Sequence, residues 1–135
     1  MKQITIVGID SITDVVFTLE AVDPPITWNV SRLQRAADAG MFGEPVVIPT
    51  RNIPAPDWAL GGLSRERVDF LKRNQALLDE PTIAIENPPG APAAILCFVD
   101  GQHRVTARVE LGLPYVRSFI VPYDVERQYR VEIGI

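Results

Sequence analysis

Proline constrains this chain more than any other residue type. Twelve of its 135 residues are proline, and each removes a backbone donor and locks φ near about −65°. They fall where elements must end. Asp23-Pro24-Pro25 breaks a strand, Pro45 and Pro49 fence Val46-Val47-Ile48, and Pro81 forbids a helix to continue. Pro114 keeps a second helix from resuming, and Pro122 ends a strand.

Within those fences the periodicities are readable. Gln3 to Val7 and Asp14 to Val22 read as strands, and Gly8, Asp10 and Ser11 between them predict an N-terminal hairpin. Val30, Leu33, Ala36 and Ala37 predict a helix over Ser31 to Ala39, capped by Ser31 and stopped at Gly40. Pro45 to Pro49 reads as an edge strand. Residues 50–62 are irregular: either a flap over a site or a surface loop pinned by Trp58. Ser64 predicts the start of a helix to Leu78. Its apolar stripe is Val68, Leu71, Gln75 and Leu78, and Arg65, Glu66, Asp69, Lys72 and Arg73 form a solvated face. Pro81 to Glu86 and Ala93 to Val99 read as a strand pair across the loop Asn87 to Pro92. The second is apolar enough to be covered on both faces. A helix from Gln102 to Leu111, a strand from Tyr115 to Val121 and a last strand from Gln128 to Ile135 complete the order. The expectation is a single α+β domain over 1–135, a small mixed sheet with three helices.

Composition excludes several classes. With 47% hydrophobic and 22% charged residues the chain can build a core, so it is not of the disordered type. The net charge of −4 argues against broad non-specific DNA binding. A lone cysteine, Cys97, forms no internal disulfide, and one cysteine plus one histidine cannot furnish an ordinary zinc site. A Mg²⁺ held by carboxylates stays open. The apolar start, Met1 to Val7, is too short for a signal peptide or a membrane span. A cytoplasmic protein with no membrane partner is expected.

The stretch that points to chemistry is Phe98-Val99-Asp100-Gly101-Gln102-His103-Arg104. A strand stops, glycine turns the chain, and a helix starts at once. Free N–H groups and a partial positive charge at such a start attract anions. Gly101 leaves the backbone open to approach, and His103 and Arg104 add donors. Asp100 is either the helix cap, a Mg²⁺ ligand or a proton-handling group. Arg104 and Arg108 lie one turn apart inside the apolar arc of Val105, Ala107, Val109 and Leu111. They need partners: a phosphate, or a carboxylate such as Glu86 or Glu20, with a route to solvent as the other reading of Arg108. Trp28, Trp58 and Tyr115 are candidates to stack on a base or to pack in the core. No G-x-S-x-G surrounds Ser64 or Ser118, and there is no P-loop and no G-x-G-x-x-G.

These residues carry a resemblance. From Pro81 to Pro122 the chain resembles the ParB/sulfiredoxin superfamily: a strand (Pro81-Thr82-Ile83-Ala84-Ile85), a D-G-x-H-R turn (Asp100-Gly101-Gln102-His103-Arg104), and a helix ending Glu110-Leu111-Gly112-Leu113. The resemblance implies a nucleotide site in which Gly101, Gln102, His103 and Arg104 contact phosphates. It departs from sulfiredoxin, which needs cysteine where Gln102 stands. It departs from partition clamps, whose helix-turn-helix does not follow Val121 here.

Three functions follow as expectations. The first is binding of a nucleotide such as CTP or ATP, extending to Mg²⁺-dependent hydrolysis or phosphotransfer. Its phosphate contacts would be Gly101, Gln102, His103, Arg104 and Arg108, its catalytic groups His103, Asp100 and Glu86, and its metal ligand Asp100. The second is a nuclease or DNA-binding protein with a basic groove of Arg104, Arg108, Arg117, Arg127 and Arg130. The third is a non-catalytic interaction protein that uses its proline-rich loops on a protein partner.

Overall fold

The computed structural model describes residues 5–20, 22–54, 62–86 and 96–134. In chain order the elements are β1 (Thr5–Val7), β2 (Val16–Leu19), β3 (Ile26–Asn29), α1 (Val30–Asp38) and β4 (Val46–Pro49), then α2 (Arg65–Arg73), β5 (Thr82–Glu86) and β6 (Leu96–Asp100), then α3 (Gln102–Glu110), β7 (Tyr115–Val121) and β8 (Glu132–Gly134). This is a small mixed α+β protein with three α-helices among the described residues.

Four strands form the main sheet in the order β4-β7-β5-β6. β5 is antiparallel to β6 and parallel to β7, and β4 is antiparallel to β7. α3 carries the chain from β6 on one side of β5 to β7 on the other. β5 is therefore the strand covered on both faces, with Thr82, Ile83, Ala84 and Ile85 all buried. β7 alternates, with Val116, Ser118 and Val121 buried and Tyr115 and Arg117 exposed. β6 was expected to be covered on both faces, but it is an edge strand on which Leu96, Cys97 and Phe98 are only half buried. On one face Cys97 and Val99 pack with the main core. The expected residues Ala93 to Ile95 lie outside those described. β4, fenced by prolines, is the other edge, as its sequence predicts.

The N-terminal hairpin pairs differently from expectation. β2 pairs with β3, so Asp23-Pro24-Pro25 lies in the turn of a hairpin and does not merely end a strand. β1 pairs with β8 at the opposite end of the chain, Val7 against Glu132 and Thr5 against Gly134. Gly8 makes that meeting possible: at φ +98° a Cβ would stand 2.2 Å from the Arg130 carbonyl oxygen. The final strand is also shorter than its alternation predicts. Glu126–Tyr129 is a 3₁₀ turn, and Tyr129 packs edge-on against Phe42 while Ile133 is exposed. The two side chains do not share a face, because the turn's three-residue period replaces the strand's two.

Helix ends follow the same pattern. Asn29, not Ser31, caps α1 by accepting from the Arg32 N–H at 3.0 Å. The buried Asn29 amide also donates to the Gly8 carbonyl and to Asp14 Oδ2, each at 2.8 Å. Ser31 Oγ instead accepts from the Val15 N–H at 2.9 Å and so holds the start of the β2 hairpin. Ser64 caps α2 as expected. The helix stops at Arg73 and continues as a 3₁₀ turn over Gln75–Leu78, which rotates Gln75 out of the stripe. Val68, Leu71 and Leu78 pack with Ala107 of α3.

The main core gathers Ile26, Trp28, Val30, Leu33, Ile83, Ile85, Val99 and Val121. Trp28 is fully buried, so it is no base-stacking surface. Its indole N–H donates to Glu126 Oε2 at 2.6 Å. Arg130 Nε donates to the same oxygen at 2.9 Å, and Arg130 Nη2 donates to Oε1. Glu126 is only 2% exposed, so its carboxylate depends on these donors. Glu126→Ala leaves a buried guanidinium and an indole N–H unpaired, and is expected to cost about 3–5 kcal/mol by urea unfolding. A Glu126→Leu/Arg130→Met double variant is expected to recover much of that loss.

Candidate functional site

The strand–turn–helix at Asp100 to Arg104 borders a cavity of about 450 Å³. Five regions line it. The β2 hairpin supplies Val15, Val16 and Phe17, the start of α1 supplies Val30, α2 supplies Arg67 and Leu71, the segment after α2 supplies Leu77 and Glu80, and the stretch Val99 to Arg104 supplies the rest. One wall is apolar and the other polar and charged.

The local geometry of the turn is as follows. Between Ile83 and Ala84 the β5–β6 register shifts, so that Asp100 opposes Ile83 while Phe98 opposes Ala84. Such an irregularity re-aims the side chains around it. Gly101, at φ +83°, is the N-cap of α3, and no side chain caps the first helical turn. Asp100 is therefore not the cap. Its carboxylate accepts from Gln34 Nε2 of α1 at 3.2 Å and lies 3.8 Å from the Arg104 guanidinium. Gly101 is required, but for a reason other than ligand approach. A Cβ there would stand 2.6 Å from Thr82 Cγ2 and 2.7 Å from Arg104 Nη2, so the space over the glycine belongs to Arg104.

Arg104 is the central cation. Its side chain is 18% exposed. Nη2 donates to the Pro81 carbonyl at 3.3 Å, and the Asp100 and Glu80 carboxylates each lie 3.8 Å away. Nε is buried with no hydrogen-bond partner. An orphaned donor of this kind costs about 1–3 kcal/mol. Neither Glu86 nor Glu20 is among its partners. Glu86 pairs with Leu96 at the far end of the β5–β6 ladder, so the structure does not bring it to the turn. Its expected catalytic place is not supported by this geometry.

Arg108 does not join Arg104. Its Nε and Nη2 both donate to the Leu78 carbonyl, at 3.2 and 3.1 Å, and Nη1 donates to the Tyr115 carbonyl at 3.2 Å. It neither contacts the cavity nor runs free to solvent; it ties the 3₁₀ turn to the start of β7. Arg130 is spent on Glu126 in the same way. Arg104, Arg108 and Arg130, three of the five arginines of the expected basic groove, thus have internal partners. Gln102, which lines the cavity, turns its side chain back to donate to the Phe98 carbonyl at 2.7 Å. Trp58 lies outside the described residues, and Tyr115 lines a separate hollow beside Arg108.

His103 accepts at Nε2 from the Ser64 N–H at 3.0 Å, which joins the first turn of α3 to the cap of α2. A ring that accepts at Nε2 carries its proton on Nδ1 and offers a donor there. Burial, and then the nearby Arg67 charge, hold its pKa below 6.5. Burial also pushes the Cys97 thiol up to about 11, which removes it as a nucleophile at neutral pH.

Among the described residues no three His, Cys, Asp or Glu side chains converge on a metal site. Asp100, the expected Mg²⁺ ligand, faces the donors Gln34 Nε2 and Arg104. No described helix is long and apolar enough to cross a membrane. Arg67, Glu80 and the β2 hairpin were not read as site residues. Only the spacing of Arg67, one turn before the apolar Leu71, marked α2 as facing the cavity there. Comparisons with family models, with curated proteins and with solved structures return no match to this chain.

Two outcomes follow. Gly101→Ala combines left-handed strain with overlap against Thr82 and Arg104, and is expected to cost at least about 2 kcal/mol in thermal or urea unfolding. His103 is neutral in the native state and titrates near about 6.5 when unfolded, so the unfolded chain binds more protons below that value. Its contribution is present above about pH 6.5 and is lost as pH falls through the lowered native pKa. Urea unfolding across this window is expected to show that loss in the wild type and a flatter profile in His103→Gln.

Proposed function

We propose that this chain binds a nucleotide, by its phosphates, in the cavity at the start of α3, on a fold related to the ParB/sulfiredoxin superfamily. The observation that carries the reading is a helix start that no side chain caps, beside the Arg104 guanidinium that lines the same cavity. A phosphate supplies acceptors to the free N–H groups and to the guanidinium. The Nδ1–H of neutral His103 adds a third donor. The D-G-x-H-R motif and its strand–turn–helix–strand order support the same reading. The apolar wall of Val15, Val16 and Phe17 gives a base or sugar a surface to rest on. His103, with Nε2 committed to Ser64, suits a role in binding better than one in proton abstraction. Mg²⁺ enters with the phosphates in this reading, since the described side chains form no cluster to hold it.

Thermal unfolding with CTP, ATP or GTP, each with and without Mg²⁺, tests the proposal. A nucleotide at about 100 times its Kd is expected to stabilise the wild type by about 2.7 kcal/mol. Arg104→Gln is expected to lose the shift while remaining folded by circular dichroism. If no nucleotide moves the wild-type transition, the reading is wrong.

A further inference from the structure

We infer that the cavity takes a ligand with two anionic groups at different depths, the inner one met by Arg104 and the outer one by Arg67. The inference rests on the phosphate-binding reading above and specifies its ligand as a chain of at least two linked phosphates.

Arg67 and Leu71 are one turn apart on α2, and both line the cavity. Leu71 is buried and Arg67 is exposed, so this face of α2 runs from the floor of the cavity to its mouth. Arg104 is mostly enclosed. The two cations therefore stand at different levels of one space, with His103 within reach of the charge on Arg67.

Asp69 of α2 and Glu110 of α3 are engaged elsewhere, and the two carboxylates that line the cavity, Glu80 and Asp100, each lie 3.8 Å from Arg104. Arg65 takes Asp69 and Glu110, and Lys72 takes Glu110. Among the described residues Arg67 has no carboxylate within ion-pair distance, although its helix carries two acids of its own. A cation left unneutralised at the mouth of a cavity that already holds an under-partnered arginine adds attraction for a second negative group. A single phosphate seated at Arg104 leaves Arg67 to solvent; a polyphosphate chain that leads outward meets it.

The test uses inorganic phosphate, pyrophosphate and tripolyphosphate, titrated at low ionic strength by calorimetry or by displacement of a bound nucleotide. Wild type is expected to bind tripolyphosphate at least about tenfold more tightly than phosphate, the effect of one charge-assisted contact. Arg67→Gln is expected to reduce that ratio to a few-fold while leaving phosphate affinity nearly unchanged. Arg73→Gln removes the same charge from the same helix outside the cavity, and is expected to preserve the ratio. If Arg67→Gln keeps the ratio seen in Arg73→Gln, the outer contact is refuted and phosphate binding itself stands. If none of the three anions binds the wild type, the phosphate-binding reading fails, and this inference with it.

Discussion

Both oxygens of the Glu126 carboxylate are engaged in the core, one by the indole of Trp28 and by Arg130, the other by Arg130 again. Three distant parts of the chain meet there. Trp28 sits on β3 opposite Phe17 of β2, and the two rings stack with centroids 6.5 Å apart. Arg130 bridges back to Trp28 along the backbone and leads into β8, which pairs with β1. The hairpin is thus held from behind by a charge pair, and its outer residues, Val15 to Phe17, form the apolar wall of the cavity. A buried ion pair need not add net stability over an apolar replacement. What it does here is set position: a carboxylate with these donors is satisfied in one placement of the hairpin.

The turn at Asp100 to Arg104 shows a local rule serving a tertiary end. Glycine at a left-handed position is common before a helix, but Gly101 is also the platform on which the Arg104 guanidinium rests. Any side chain at 101 would evict that guanidinium. Arg104 in turn reaches the Pro81 carbonyl at the head of β5 and keeps Nε without a partner. Leaving a buried donor open costs stability. The cap of the helix follows the same logic: a side chain at the capping position would have closed the N–H groups that now border the cavity.

Arg104 and Arg108 were indistinguishable along the chain, two arginines one turn apart in an apolar arc. The fold separates them. Carbonyl oxygens of Leu78 and Tyr115 come within reach of Arg108 because α2 ends early and yields to a 3₁₀ turn, and that early stop depends on Asn74 and the packing of Leu78 against Ala107. No such acceptors come to Arg104 Nε. The cavity likewise draws one cation, Arg67, from a helix whose Arg65, Asp69 and Lys72 lie in a solvated network with Glu110, and Arg65 and Lys72 hold that carboxyl down at about 2.

Local sequence determined much of this protein. Proline and glycine placed the ends of α3, β4 and β7, and the strand–turn–helix at 98–104 was legible because each residue there acts on its immediate neighbours. Which strands pair was not legible. Val7 meets Glu132, and Ile26 to Asn29 serves as the partner of β2, because hydrogen-bond ladders join residues that no short-range pattern links. The same holds for the site. The turn Gly101 to Arg104 that borders the cavity could be read from local chemistry, whereas the apolar wall, the absence of Glu86 and Arg108 from the lining and the presence of Arg67 in it could not. Those depend on which surfaces face one another, and only the packing of the hairpin and α2 around the turn decides that.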